Sequence, residues 1–433
     1  MKKALILYPS SIAACGIGTW VEAVSDALRG HGWDVTVGLS WGGHFHDPLR
    51  VEAFRPSLKT VRMDARTGTE EGRIQAIIRA IETELPQVVL LTVLNSAFEA
   101  VRRLRFAGNR SFRLIAVNHG NLAQQAASLL AHRDLIDMAV CVSRLSYRAM
   151  GSASEGFALG RLRHISNAVG VPAAPAQRAE AALRIGYAGR LEDDKRAGDV
   201  APFFRLLHER LPQAVMWVAG RGAYAPEMEA LAREVPRQFY YFGELPPRAL
   251  ADTFYPELDL LMHFSPAEAW GYSIAEAMSY GVVPVTSAFR GQAEDGLVLD
   301  GETGLVFPVG DVARAAELAA TLLGDPAWSQ QLSARAAAHV RHNFSLELFG
   351  NQWIEALESC LELPQLPAPE RPASLDAKGP VGIPWPWWER IRRMMGRRIA
   401  HASSGEEWPH FRCGDRRLIN EMDSALVERD TSC

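Results

Sequence analysis

Residues 4–37 read ALILYPSSIAACGIGTWVEAVSDALRGHGWDVTV, and this stretch decides the fold class. An apolar run typical of a buried strand (4–8) leads into a glycine-containing loop, Gly16-Ile17-Gly18. Apolar residues at helical spacing follow over 21–28, and a second strand-like run occupies 33–37. Strand, glycine loop, helix and strand within about 35 residues form the pattern of a βαβ unit, which implies a parallel sheet.

The same pattern recurs along the chain and then restarts. An Ala/Pro-rich stretch at 172–175 separates the two series. The strand-like runs are 88–94, 114–117 and 138–142 in the first series and 183–188, 215–219, 239–242, 258–263 and 283–286 in the second. Such nearly unbroken apolar runs are typical of parallel strands that are buried on both faces. The sequence therefore predicts an α/β protein with two Rossmann-like, doubly wound parallel-sheet domains facing a cleft.

Composition excludes several classes of protein. The 433 residues are 48% apolar and 22% charged with a formal net charge of −4, which indicates a globular chain and not a nucleic-acid-binding one. The five cysteines are odd in number and lack any Cys-x-x-Cys spacing, which argues against a disulfide framework or a zinc knuckle. No apolar run reaches the ~20 residues of a membrane-spanning helix, and the N-terminal apolar run is too short for a signal peptide. We therefore predict a cytoplasmic location.

The richest polar run is FSPAEAWGYSIAEAM, at residues 264–278. It follows a predicted strand, and the spacing predicts a helix that begins near Tyr272. Backbone N–H groups at such a helix start suit phosphate oxygens, and Gly271 lets a ligand approach the backbone. Glu268 in the loop and Glu276 one turn inside the helix would accept hydrogen bonds from sugar hydroxyls. The alternative is an ordinary helix with one solvated and one N-terminal glutamate.

Two cations follow another predicted strand. Gly189-Arg190-Leu191 comes directly after the run at 183–188, and Lys195 comes soon after. Fixed positive charges at the carboxyl end of a parallel strand lie where this kind of sheet binds ligands, and they could neutralise a leaving diphosphate without a metal. The alternative is that both are solvated loop charges. Gly220-Arg221-Gly222 ends a further strand in the same orientation.

Taken in order, these motifs resemble the family-four retaining glycosyltransferases of the GT-B fold, known as glycosyltransferase group 1. The resemblance covers about residues 1–360. Its pieces are Gly16-Ile17-Gly18, His119-Gly120, Asn167-Ala168-Val169, Gly189-Arg190-Leu191 with Lys195, Gly220-Arg221-Gly222, Phe242-Gly243, Glu268 with Glu276-Ala277-Met278, Gly281 to Val285, Glu294, and Asp300 to Gly304. Each piece is weakly specific, whereas the ordered set is strongly so.

The resemblance implies a role for each donor-side residue. Arg190 and Lys195 would hold the diphosphate, Glu268 would bind hydroxyls of the transferred sugar, and Glu276 would accept both ribose hydroxyls. The other donor-binding candidates are Gly16, Gly18, Gly189, Gly220, Ala269, Trp270, Gly271 and Tyr272. Ala269 stands where the family commonly has glycine, and Gln292 replaces the second glycine of the usual pair before Glu294; both departures bear on the choice of sugar.

On the acceptor side, the resemblance places His119 against the transferred sugar, so that the catalytic candidates are Arg190, Lys195, Glu268 and His119. Trp41, His44 and Asn118 are further acceptor-side candidates, the first two in a loop whose two histidines lack a third metal ligand. The family pattern implies no metal and no cofactor, with the nucleotide sugar as co-substrate.

The implied domains follow the motifs. Residues 1–172 would form the acceptor-binding domain and 180–345 the nucleotide-sugar-binding domain. Helix 346–363 would return to the N-terminal domain, followed by a proline-rich linker (364–384) and a tail (385–433).

The implied activity is retaining transfer of a sugar from a nucleoside diphosphate sugar to a glycan or glycolipid hydroxyl, as in bacterial lipopolysaccharide or exopolysaccharide assembly. Two alternatives stay open: a GT-B sugar-nucleotide epimerase, and a non-catalytic nucleotide-sugar-binding subunit. The nucleotide base, the sugar, the acceptor and the oligomeric state do not follow from the motifs.

The tail contains WPWWERIRRMMGRRI at residues 385–399. On a helix, five arginines occupy most of one side, and the apolar stripe consists of Trp387, Trp388, Ile391, Met394, Met395 and Ile399. This pattern is typical of a helix lying in a membrane interface, so 385–400 is predicted to contact an anionic membrane surface on the inner face of the cytoplasmic membrane. The alternative is that the stripe packs back on the N-terminal domain or on a partner.

Overall fold

The computed structural model describes residues 1–8, 15–40, 47–63, 68–92, 95–172, 183–375, 382–397 and 413–430. The chain divides into two compact units. The first contains most of the N-terminal 165 residues together with Gly350–Val427, and the second contains Ser166–Phe349 with two short segments.

The first unit is built on a seven-stranded parallel sheet with the strand order β3-β2-β1-β4-β5-β6-β7. Its strands are β1 (Lys2–Tyr8), β2 (Trp33–Ser40), β3 (Thr60–Met63), β4 (Val88–Leu91), β5 (Arg113–Asn118), β6 (Met138–Cys141) and β7 (Leu162–His164). The central strands are buried on both faces, as their apolar runs predicted.

Helices connect these strands in the βαβ manner. They are α1 (Gly16–Gly30), α2 (Pro48–Phe54), α3 (Glu70–Glu84), α4 (Asn95–Phe106), α5 (Ala123–Ala131) and α6 (Arg144–Gly151). Helix α1 shows why the local sequence forms a helix: its apolar residues recur at helical spacing, so that Trp20, Val24 and Leu28 are fully buried.

The second unit contains a six-stranded parallel sheet with the order β10-β9-β8-β11-β12-β13. Its strands are β8 (Arg184–Ala188), β9 (Val215–Ala219), β10 (Phe239–Tyr241), β11 (Leu260–His263), β12 (Val283–Ser287) and β13 (Leu305–Phe307). Its helices are α7 (Val200–Arg210), α8 (Ala225–Glu234), α9 (Pro247–Ala249), α10 (Tyr272–Ser279), α11 (Gln292–Asp295), α12 (Val312–Gly324) and α13 (Pro326–Asn343). The two sheets confirm the predicted fold class.

In the described part of the chain, three helices follow α13: α14 (Leu346–Glu362), α15 (Trp385–Met394) and α16 (Arg416–Arg429). In α14, Trp353 is fully buried and its ring contacts the ring of Trp20, with the centroids 5.2 Å apart. Helix α16 adds Leu418 and Met422 to the core of the first unit. The tail beyond the linker thus contributes core residues to the first unit, which its polar composition did not indicate.

Helix α15 packs on the first unit through a polar contact. The Glu389 side chain is buried and accepts a hydrogen bond from Thr69 Oγ1 at 2.8 Å. Trp387, Met394 and Met395 are exposed at 60%, 84% and 58%. These three residues of the predicted apolar stripe therefore do not pack on the protein, whereas Trp388 and Ile391 of the same stripe are half-buried. None of the helices in the described part of the chain is long and apolar enough to cross a membrane.

Candidate donor site in the second unit

Strand β11 and helix α10 position the glutamate run. The strand ends at His263, a loop carries Glu268, and the helix begins at Tyr272, as the spacing predicted. Gly271 stands at the helix start with φ +97°, a left-handed conformation that favours glycine. A Cβ there would also lie 3.1 Å from Ile274 Cδ1. Gly271 is therefore required for the turn that brings the loop into the helix.

The structure brings Glu268 together with Lys195, which precedes it by 73 residues. Strands β8 and β11 are neighbours, so the loops after them meet at one edge of the sheet. Lys195 Nζ donates to Glu268 Oε1 at 2.7 Å, and His263 Nε2 lies 3.1 Å from the same oxygen. Burial by itself raises the pKa of the Glu268 carboxyl, but Lys195 and His263 outweigh it and hold that pKa well below its usual range. Glu268 is thus an ordered carboxylate.

Arg190 follows strand β8, at the same edge of the sheet. Its guanidinium forms an ion pair with Asp194, one turn further along the chain. The backbone here is tightly packed, because a Cβ on Gly220, whose φ is +153°, would lie 1.9 Å from the carbonyl oxygen of Gly189. Gly220 therefore permits the close approach of the two loops after β8 and β9.

Glu276 lies in α10, where its carboxylate accepts a hydrogen bond from Tyr255 Oη at 2.8 Å. Tyr255 is buried, and both burial and the neighbouring carboxylate raise the pKa of its phenol well above the usual value. The phenol is therefore a permanent donor that orients Glu276. Sequence reasoning did not find Tyr255, which stands in an irregular segment before β11.

Trp270 has a different place from its neighbours in the run. Its side chain is 1% exposed and belongs to a hydrophobic cluster, with its ring centroid 5.4 Å from that of Phe344. Any contact of Trp270 with a donor would therefore come from its backbone.

The glycines at the start of α1 in the first unit have a structural partner. A Cβ on Gly18 would lie 3.0 Å from Arg55 Nε. Arg55 is 1% exposed and pairs with Glu22 of the same helix. The absence of a side chain at Gly18 thus leaves space for the buried guanidinium of Arg55. This role could not be predicted from the Gly16-Ile17-Gly18 motif. Residues 9–14, which precede this helix start, lie outside the described residues.

His119 follows strand β5, and its ring packs against Trp20 with the centroids 4.8 Å apart. Its Nε2 is buried and has no hydrogen-bond partner in the described part of the chain. Desolvation lowers the pKa of His119 to about 3, so the ring is neutral at physiological pH. The side chain of Asn118 is fully buried and contacts the sulfur of Met150. Trp41 and His44 lie outside the described residues.

The buried neutral His119 predicts an acid-sensitive first unit. The unfolded chain protonates this ring near pH 6.5, whereas the folded unit resists protonation down to about pH 3. The contribution of the neutral His119 ring to the free energy of unfolding is therefore complete above pH 6.5 and is lost as the pH falls from 6.5 towards 3. At pH 5 the expected loss relative to pH 7.5 is about 1–2 kcal/mol. Urea unfolding at the two pH values measures it. The H119N variant should show a smaller difference, and an identical pH dependence in both proteins would contradict the assignment.

Among the described residues, no group of three or more His, Cys, Asp and Glu side chains is arranged to hold a metal ion.

Comparison with known proteins decides the family of the second unit. Residues 174–339 match the model of the family "Glycosyl transferases group 1". These residues belong to the group 1 glycosyl transferases. The resemblance inferred from the motifs is thereby confirmed for this segment of the chain, which holds Lys195, Glu268 and Glu276.

Two curated relatives are similar to this chain over part of its length. The lipopolysaccharide core biosynthesis mannosyltransferase LpcC of Rhizobium leguminosarum bv. viciae is 31% identical over 173 residues, covering 38% of this chain and 47% of LpcC. The GDP-mannose-dependent monoacylated alpha-(1-6)-phosphatidylinositol monomannoside mannosyltransferase of Corynebacterium glutamicum is 29% identical over 154 residues, covering 34% of this chain and 40% of that enzyme. The chain thus matches less than half of the length of either relative.

Among solved structures, sucrose-phosphate synthase of Thermosynechococcus elongatus superposes with a TM-score of 0.67 at 18% identity, covering 84% of this chain and 100% of that one. At this identity the likeness concerns the fold alone, and it agrees with the GT-B arrangement of two parallel sheets.

Proposed function

We propose that the protein is a retaining glycosyltransferase that moves a sugar from a nucleoside diphosphate sugar to an acceptor hydroxyl without a metal ion. The observation that carries the proposal is the contact of Lys195 with Glu268 at the carboxyl ends of two neighbouring parallel strands. A cation and an ordered carboxylate side by side suit the two halves of such a donor, the anionic diphosphate and the polyhydroxylated sugar. The names of the two mannosyltransferase relatives agree with this donor class and favour mannose.

The roles of the donor-side residues follow from their charges. Lys195 and Arg190 would bind the diphosphate, with the backbone at the start of α10 adding N–H donors. Glu268 would accept hydrogen bonds from hydroxyls of the transferred sugar. Glu276, oriented by Tyr255, would accept the ribose hydroxyls. In the first unit, the unpartnered Nε2 of His119 would bond a substrate hydroxyl.

The charge state of Glu268 favours a front-face reaction. A carboxylate with a strongly lowered pKa is a weak base and a weak nucleophile, so Glu268 is poorly suited to form a covalent glycosyl intermediate. In the proposed step, the acceptor oxygen bonds to the anomeric carbon on the face from which the phosphate leaves. The bond to phosphate breaks with its electron pair, and the phosphate takes the proton of the acceptor hydroxyl. Lys195 and Arg190 stabilise the developing charge.

A panel of donors tests this function. The purified chain is incubated with GDP-mannose, UDP-glucose, UDP-galactose and UDP-N-acetylglucosamine, with and without a glycolipid extract and with excess EDTA. Acceptor-dependent release of one nucleotide, resistant to EDTA and giving the donor's anomeric configuration, is the expected result. Conversion of the donor without an acceptor would favour the epimerase alternative. Binding without any turnover would favour the non-catalytic subunit.

We also propose that helix α15 holds the enzyme on an anionic membrane surface on the cytoplasmic side, as a glycolipid acceptor would require. Trp387, Met394 and Met395 are exposed, and Arg390 and Arg393 are exposed beside them. Since Glu389 fixes the helix to the first unit, this face is presented to the outside of that unit. Exposed Trp and Met beside arginines suit the headgroup region of a bilayer.

Charge reversal tests the membrane contact. Because each arginine adds about 1 kcal/mol near anionic lipid, the triple variant R390E/R393E/R397E should bind vesicles of phosphatidylglycerol and phosphatidylethanolamine at least about tenfold more weakly than the wild type. The matched control reverses three exposed arginines of the second unit, Arg205, Arg248 and Arg314, and should bind as the wild type does. Equal sedimentation of the α15 variant and the wild type would contradict the proposal.

A further inference from the structure

His263 is the last residue of strand β11 and the only polar residue in it. Its side chain is 9% exposed, and its ring packs edge-on against Phe289 with the centroids 5.4 Å apart. Both ring nitrogens have partners: Nδ1 lies 3.1 Å from Thr286 Oγ1, and Nε2 lies 3.1 Å from Glu268 Oε1. The imidazole therefore connects a buried hydroxyl of strand β12 to the carboxylate of the donor site.

The partners restrict the protonation of this ring. Glu268 is a carboxylate and can only accept, so His263 Nε2 must carry a proton. In the neutral ring Nδ1 then has a lone pair, and Thr286 must donate its hydroxyl proton to it. In the charged ring Nδ1 donates instead, and the Thr286 hydroxyl is turned towards the carbonyl oxygen of Ser287, 3.2 Å away. In both states the imidazole donates to Glu268, so the hydrogen bond to the carboxylate is permanent.

Lys195 also donates to Glu268 Oε1, and the proposed function assigns it a second task at the diphosphate. A lysine that turns towards phosphate weakens its contact with Glu268. The ring of His263 is held by the surrounding strands and has no such freedom. The His263 donor therefore continues to hold the half-buried carboxylate when Lys195 turns away, and hydrogen bonds to a charged group of this kind are strong.

Resting on the proposed function, we propose that His263 is a positioning residue for the transferred sugar: held by Thr286, it orients Glu268 towards the sugar hydroxyls while Lys195 engages the diphosphate. His263 therefore contributes to the affinity for the sugar part of the donor and not to the affinity for its nucleotide part. The expected signature is therefore a loss of affinity for the intact nucleotide sugar without a loss for the nucleoside diphosphate alone.

The test measures both ligands on the full chain by calorimetry, using the nucleotide sugar that the wild type turns over and its nucleoside diphosphate. The variant H263L keeps most of the volume and removes the donor. Hydrogen bonds to charged groups are worth about 1.5–3 kcal/mol, so the Kd of the nucleotide sugar should rise about 10- to 100-fold. The Kd of the nucleoside diphosphate should change by less than about twofold, since H263L leaves the groups assigned to the diphosphate and ribose unchanged.

Two further variants keep the test independent of folding defects. H263Q restores an N–H at the place of Nε2 and should recover most of the affinity for the nucleotide sugar. T286V removes only the hydroxyl and should give an intermediate loss. The matched control H208L makes the same replacement on helix α7, away from Glu268, and should bind both ligands as the wild type does.

Each outcome decides between the alternatives. Unchanged nucleotide-sugar affinity and kcat/KM in H263L would overturn the positioning role. Equal losses for both ligands without rescue by H263Q would also overturn it, since they would show a merely structural role. A wild type that neither binds nor turns over any nucleotide sugar would instead refute the proposed function, and this inference with it.

Discussion

Replacing Lys195 with alanine is expected to lower kcat/KM by at least about 100-fold. Two effects combine in this variant. The departing diphosphate loses a charge partner in the transition state, and Glu268 loses the ammonium that now lies 2.7 Å from its carboxylate. Because Lys195 acts on charge that develops as the bond breaks, most of the loss should fall on kcat and less on the KM of the donor.

Steady-state kinetics at saturating acceptor measure the effect. K195R keeps the charge but not its compact geometry and should recover part of the rate. R205A removes an exposed cation of the same unit, paired with Glu234 on the surface, and should have the kcat/KM of the wild type. Turnover close to that of the wild type in K195A would refute the proposed leaving-group stabilisation.

Replacing Asp137 with alanine is expected to destabilise the first unit by about 3–5 kcal/mol. Asp137 is 1% exposed and forms salt bridges with Arg105 and Arg113, of which Arg105 is itself buried. Its carboxylate also accepts a hydrogen bond from the backbone N–H of Leu114 in strand β5 at 2.8 Å. The variant leaves buried guanidinium groups without their counter-charge, and this cost exceeds that of losing an exposed pair.

Native-state hydrogen exchange followed by mass spectrometry measures this loss separately in each unit. Protection should fall in peptides from β5 and β6 and stay unchanged in peptides from β11 and β12. The matched control D134A breaks the exposed pair of Arg102 with Asp134, three residues away, and should cost less than about 1 kcal/mol. Equal protection in D137A and D134A would contradict the predicted effect.

The sequence predicted the central strands of both sheets well, and the strands that it missed share a position. Strands β3, β7 and β13 each lie at an edge of a sheet. An edge strand has a neighbour on one side only and, in β3 and β7, every side chain except that of Met63 is half-buried or exposed. These two strands do not need an unbroken apolar run, so the pattern that identifies buried parallel strands is absent from them. Strand β13 is apolar, but it has only three residues.

Helix α16 was missed for a related reason. Its buried residues Leu418, Met422 and Leu426 recur every four residues, but charged residues dominate the rest of the helix. The four-residue spacing can be read from the sequence. The surface of the first unit on which these residues pack forms only when the chain folds.

Some residues of the candidate site could be predicted from the sequence and others could not. Arg190, Lys195, Glu268 and Glu276 could be found because each follows a recognisable strand or lies in the first turns of the helix after it. His263, Thr286 and Tyr255 could not, since their significance depends on contacts across strands and loops. A histidine at the end of an otherwise apolar strand is the one local signal that could have pointed to His263.

The sequence by itself determined the parallel α/β class and the order of the motifs, because burial on both faces and helical periodicity are properties of short segments. Only the tertiary structure decided that Lys195 and His263 share one oxygen of Glu268, and that α15 turns Glu389 inward and Trp387 outward. Charge states and exposed faces depend on which distant groups become neighbours, and chain folding alone brings those groups within the few ångströms over which hydrogen bonds and desolvation act.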